Sequence, residues 1–102
     1  LAYFSSNELI LGFILMTQGL FKITLFTTLG CHLCEDALAM LRYYQEEIAN
    51  VFEIEQVEII DSERLIEAYG TRIPVLLHSE TQQEIGWPFN MEQLAIFLKT
   101  ER

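Results

Sequence analysis

Two cysteines three positions apart, Cys31 and Cys34, stand directly behind an apolar run that ends at Gly30 and directly ahead of a segment with helical spacing. No other feature restricts the chain so tightly. The run FKITLFTTLG is rich in β-formers, and Cys31-His32-Leu33-Cys34 opens the helical stretch EDALAMLRYYQEEI. A strand feeding a helix whose first turn carries C-x-x-C implies thiol redox chemistry. The N–H groups of a first turn have no partner within the helix, and the helix dipole adds partial positive charge there. Both favour thiolate over thiol, and the thiolate is the nucleophile. Cys31, at the exposed lip, is the expected attacker; Cys34, one turn in, is within its reach.

Composition narrows the classes. A chain of 102 residues supports one domain with one modest core. Hydrophobic residues make up 51% of it, which argues against disorder. Fifteen acidic against six basic residues give a net charge of −9. With no Lys/Arg cluster to release counterions, neither nucleic acid nor a membrane is an expected partner. Two cysteines in C-x-x-C do not frame a small secreted fold and fit a cytoplasmic thiol site better. Repeats, linkers and low-complexity tracts are absent from the sequence.

The amino end reads as a separate piece. The apolar run from Leu9 to Met16 is far short of the roughly 20 residues a membrane span needs. Glu8 precedes it and no basic residue does, so it lacks the front of a signal peptide. Residues 1–15 are therefore expected to be an extension outside the core, with the domain over 16–102. Its apolar stripe would pack on the domain or on a second copy, giving a monomer or a weak dimer through this extension.

Lys22 to Thr27 reads as a buried strand, with Thr28, Leu29 and Gly30 as the turn. Ala37, Leu41, Tyr44 and Ile48 fall on one helix face. In VFEIEQVEIID the parity slips, Phe52 and Ile54 on one side and Val57 and Ile59 on the other. The paired strand is placed at Gln56 to Ile60, parallel to the first, with Phe52 and Ile54 covering its approach. Asp61 or Ser62 caps a short helix that Gly70 closes in the left-handed conformation. Pro74 opens a third strand, on which His78 is expected to face outward. A turn from Glu80 to Gln83 leads into Glu84-Ile85-Gly86. Trp87 and Phe89 read as partial core. Asn90 with Gln93 has the form of a capping box, opening a helix with Met91, Leu94, Ala95 and Leu98 inward.

Strand, C-x-x-C helix, strand, helix, x-Pro, hairpin, helix: from about Lys22 to Leu98 this resembles the glutaredoxins and the wider thioredoxin-like fold. The resemblance implies a three-layer α/β/α protein of order β-α-β-α-β-β-α with a mixed four-stranded sheet. It implies that Pro74 is a cis proline facing the cysteines. It also implies that the backbone of Ile73 and Pro74 holds an extended peptide or glutathione by strand-like pairing. Typical glutaredoxins carry proline and an aromatic between the cysteines, where this chain has His32 and Leu33. Thr28 stands where they often carry a basic residue. Their Thr-Val-Pro is Arg72-Ile73-Pro74, and their Gly-Gly pair is Gly86-Trp87. These departures bear on glutathione rather than on dithiol–disulfide exchange, and the likeness is nearer to the small glutaredoxin-like proteins.

The candidate catalytic residues are Cys31 and Cys34; the candidate substrate-binding residues are His32, Arg72, Ile73 and Pro74. His32, if protonated, would favour the Cys31 thiolate; the alternative is an exposed side chain without a role. Glu35 and Asp36 act against that effect. Arg72 would offset their charge or grip a substrate carboxylate, or else be solvated. Zinc usually takes four Cys and His ligands, and only His32 and His78 accompany the cysteines, so no metal site is expected. The expected activity is exchange of the Cys31–Cys34 dithiol with a disulfide-containing protein or a glutathione mixed disulfide. It requires no cofactor, with glutathione as a candidate co-substrate. The rival is a non-catalytic binding adaptor, or a module carrying a metal or cluster on the same cysteines.

Overall fold

The computed structural model describes residues 20–99, so the expected extension over 1–15 lies outside them. The elements are β1 (Phe21–Thr27), α1 (His32–Glu47), β2 (Phe52–Glu58), α2 (Glu63–Tyr69), β3 (Val75–His78), β4 (Glu84–Gly86) and α3 (Met91–Leu98). The sheet order is β2-β1-β3-β4. β1 and β2 are parallel, joined through α1, while β3 runs antiparallel to β1 and β4 antiparallel to β3. This is the mixed four-stranded α/β arrangement of the thioredoxin-like fold. Among the described residues no helix is long and apolar enough to cross a membrane.

Alternation along β1 sends side chains to two faces, and each face has its own cover. Phe21, Ile23 and Leu25 join Ala37, Leu41 and Tyr44 of α1, Phe52, Leu76, and Leu94 and Leu98 of α3 in the larger cluster. Phe26, Ile59 and Val75 form the smaller one, roofed by Leu65 and Tyr69 of α2. Phe26 and Tyr69 stack at 4.1 Å between ring centroids. The helices are fixed at their starts by the side chains expected to do it. Ser62 Oγ accepts from the Leu65 N–H at 3.2 Å. Asn90 and Gln93 form a reciprocal capping box, at 2.7 and 2.8 Å. Trp87 and Phe89 meet edge to face at 5.1 Å, with Phe89 buried and Trp87 packed on the larger cluster.

Four expectations need correction. β2 begins at Phe52, not Gln56, and holds unbroken register with β1 from Phe21↔Phe52 to Thr27↔Glu58. The parity slip is a change of cover: α1 and α3 lie over its first half, on the Phe52 and Ile54 side, and α2 over its second, on the Val57 and Ile59 side. Ile48 is not on the buried stripe; it is the C-cap of α1 and 56% exposed. Gly70 is right-handed, with φ −53°. Glycine suits it for space, because a Cβ there would lie 2.5 Å from the Ile66 carbonyl oxygen. His78 does not face outward: it is fully buried, stacked on Phe21 at 4.2 Å with Phe97 edge-on at 5.9 Å. Its Nδ1 accepts the N–H groups of Glu80 at 3.1 Å and Thr81 at 3.3 Å.

Candidate active site

The site begins with a turn. β1 ends at Thr27, and Gly30 takes φ +83°, a left-handed conformation open to glycine at little cost. The Cys31 N–H donates to the Thr28 carbonyl at 3.2 Å, closing the turn. Cys31 is then the N-cap of α1, with extended backbone, and its Sγ accepts the Cys34 N–H at 3.1 Å. A cysteine thus fills a place where Ser, Thr, Asp or Asn usually provides the acceptor. Cys31 and Cys34 are joined as a disulfide, their Cα atoms 5.2 Å apart. Cys31 is partly exposed, whereas Cys34 is 3% exposed.

Pro74 reaches the same end of the sheet by register. Phe26 pairs with Val75, so the residues before Val75 lie beside the turn that follows Thr27. The Ile73–Pro74 bond is cis, as the resemblance implied, and so is Trp87–Pro88, which the sequence reading did not foresee. Pro74 is buried, and its carbonyl accepts the Trp87 N–H at 3.0 Å. The Ile73 N–H donates to the Tyr69 carbonyl at 3.0 Å, so this donor is already engaged within the chain.

Arg72 is engaged with β4, and His32 lies open to solvent beside Glu35. The Arg72 guanidinium lies 3.3 Å from Glu84 Oε1, its Nε donates to the Ala68 carbonyl at 3.2 Å, and its cation sits 5.1 Å over the Tyr69 ring. The Tyr69 hydroxyl donates to Glu84 Oε2 at 2.7 Å. That bond, with burial of the ring, holds the phenol pKa above its ordinary value. The three side chains tie the segment after α2 to β4 rather than to the disulfide. His32 is 91% exposed at its side chain, with Nδ1 3.5 Å from Glu35 Oε1. Among the described residues no three His, Cys, Asp or Glu are grouped to hold a metal ion.

Glu58, at the end of β2, was missed by sequence reasoning. Its Oε1 accepts the Leu29 N–H at 3.0 Å and its Oε2 the Ile60 N–H at 2.9 Å, bridging the turn before Cys31 to the loop after β2. The Thr28 hydroxyl, then the Ile60 and Leu29 N–H groups, hold its carboxyl below the ordinary carboxylate range. The signal was indirect: a tight turn with left-handed Gly30 leaves N–H groups needing an acceptor, and Glu58 is the residue opposite Thr27. Glu58, Gln56, Thr27, Thr28, Cys31 and Glu35 line part of a groove of about 300 Å³ beside the disulfide.

Comparison with known proteins agrees with this geometry. Similar solved structures include target protein XcR50 from X. campestris and protein Ne2328 from Nitrosomonas europaea. The first is 33% identical, covering 74% of this chain and 93% of that one, with a TM-score of 0.64. The second is 30% identical, covering 78% and 92%, with a TM-score of 0.66. No curated protein matches the chain. The model of the glutaredoxin-like domain (DUF836) matches residues 22–99, which takes in the cysteine turn, the cis proline and the capped final helix; the chain belongs to that family.

Proposed function

We propose that the protein is a thiol–disulfide oxidoreductase that cycles Cys31 and Cys34 between dithiol and disulfide. The observation that carries this reading is the asymmetry of the pair: Cys31 open at a helix N-cap, Cys34 buried behind it. Once reduced, the Cys31 sulfur has the Cys34 N–H and the helix dipole to stabilise its negative charge, which favours the reactive thiolate. That thiolate attacks a substrate sulfur, forming a mixed disulfide and expelling the first substrate thiolate. Cys34, losing its own proton, attacks Cys31 Sγ and releases the second thiolate. Two electrons pass from the dithiol to the substrate disulfide, and the departing thiolates take up the protons. Glutathione or a reductase in a reducing, cytoplasmic setting restores the dithiol. The Ile73 carbonyl beside cis Pro74 is the backbone group through which an extended substrate would align.

Mass spectrometry after equilibration in glutathione buffers tests this. The expected result is a two-proton mass loss over a defined potential range, with any glutathione adduct confined to Cys31. Replacing Cys31 with Ser should bring disulfide reduction to background. A Cys31→Ser variant with undiminished exchange would sink the proposal, and no internal disulfide at any buffer ratio would favour the adaptor reading.

A further inference from the structure

The disulfide has two flanks. Toward β3 lies cis Pro74, buried. Toward β2 lies the groove, lined by Thr27 and Gln56 of the sheet, Cys31, and apolar Leu29 and Leu38. Its charges are the carboxylates of Glu35 and Glu58, and among the described residues lining it there is no lysine or arginine. Glu58 is anchored by the Leu29 and Ile60 N–H groups, so its charge is held in place rather than carried on a swinging side chain. The Glu35 side chain is 70% exposed at the rim. A groove of about 300 Å³ has room for a side chain.

From this juxtaposition of a reactive sulfur, a side-chain-sized groove and two carboxylates, we infer that the β2 flank is a substrate subsite. It takes a lysine or arginine side chain next to the cysteine of a polypeptide disulfide. Aliphatic carbons of such a side chain lie along Leu29 and Leu38, and the cationic end meets Glu58 and Glu35. Opposite charge beside the reacting sulfur speeds encounter and holds the partner in register; like charge does the reverse. The inference rests on the exchange reading and adds to it the charge of the preferred substrate.

The test uses the full chain, reduced with dithiothreitol and freed of it, at pH 8. It is mixed with three symmetric disulfides: cystamine (cationic), bis(2-hydroxyethyl) disulfide (neutral) and 3,3′-dithiodipropionate (anionic). The readout is the ratio of the cystamine rate to the dithiodipropionate rate, compared between wild type and variants so that intrinsic reactivity cancels. One unit charge about 6 Å from the substrate's charge changes a rate roughly threefold in water. Glu35→Gln or Glu58→Gln should therefore lower the ratio about tenfold at low salt, since the cation loses and the anion gains. At 1 M salt the difference between wild type and variants should largely disappear. Glu35, on the exposed rim, keeps the test decisive if Glu58→Gln loosens the turn. A ratio unchanged in Glu35→Gln and Glu58→Gln overturns the inference while leaving exchange intact. Failure of all three disulfides to oxidise the dithiol overturns the exchange reading itself.

Discussion

The two flanks of the Cys31–Cys34 pair are built to opposite rules. On the β3 side everything is tied down: Pro74, Val75 and Leu76 are buried, the Ile73 N–H is held by Tyr69, and Arg72, Tyr69 and Glu84 lock the neighbouring segment to β4. On the β2 side the chain is open: Leu29 is 93% exposed, and a groove lined with carboxylates runs to an edge strand. The contrast separates a flank held by packing and hydrogen bonds, which serves the fold, from a flank open to solvent, for which we infer a role in receiving substrate. Substitution can pull the two roles apart.

The largest effect belongs under the buried flank. Leu76 is fully buried in the larger cluster, and Leu76→Ala should cost about 2–5 kcal/mol of unfolding free energy, from lost transfer energy and the cavity left behind. Leu29→Ala on the open flank should stay within about 0.5 kcal/mol of wild type. Urea unfolding of both variants checks the pair; comparable losses would erase the division between the flanks. Next in size is His78, which carries the buried side to the far end of β3. Removing its ring deprives two backbone N–H groups of their acceptor and empties the space against Phe21. His78→Ala should cost about 1–3 kcal/mol by the same measurement, given the usual penalty for stranded donors.

His78 also shows where reading the chain stops. Its parity with Leu76 was visible, but β3 is covered on both faces, and alternation identifies an outward residue only where one face meets water. The same limit misplaced the start of β2. A strand roofed by different helices at its two ends carries a pattern that changes sides without any break in pairing. The features that came through locally did so because neighbours in sequence create them. The strand–turn–helix around Cys31, the Ser62 cap and the Asn90–Gln93 box each need only a few consecutive residues. Glu58 and the clasp of Arg72 with Glu84 join distant segments. Nothing within a few residues of either records the partner.

That clasp supplies the third and smaller test. The Arg72 and Glu84 side chains are 51% and 34% exposed, so solvent screens the pair. A double-mutant cycle with Arg72→Ala and Glu84→Ala should return a coupling of roughly 0.2–1 kcal/mol. Adding Tyr69→Phe would show whether the tyrosine–carboxylate bond acts with it. A coupling of zero would mean that the ion pair adds nothing to the backbone hydrogen bonds and packing that hold the buried flank.

The smallest effect tests whether the open flank has any fixed part. Glu58 titrates below the ordinary carboxylate range because the Thr28 hydroxyl and the Ile60 and Leu29 N–H groups bond to its charged form. A folded-state pKa below the unfolded one means the unfolded chain binds the proton more readily. The contribution is therefore complete above the unfolded carboxyl value and is lost as pH falls through the folded value. Urea midpoints of wild type and Glu58→Gln, compared from pH 7 down to pH 3, should differ most above about pH 5 and converge in acid. Convergence would place the turn before Cys31 under the control of this carboxylate's charge. A difference that stayed constant with pH would assign it to packing instead, leaving the groove's charge with no structural duty.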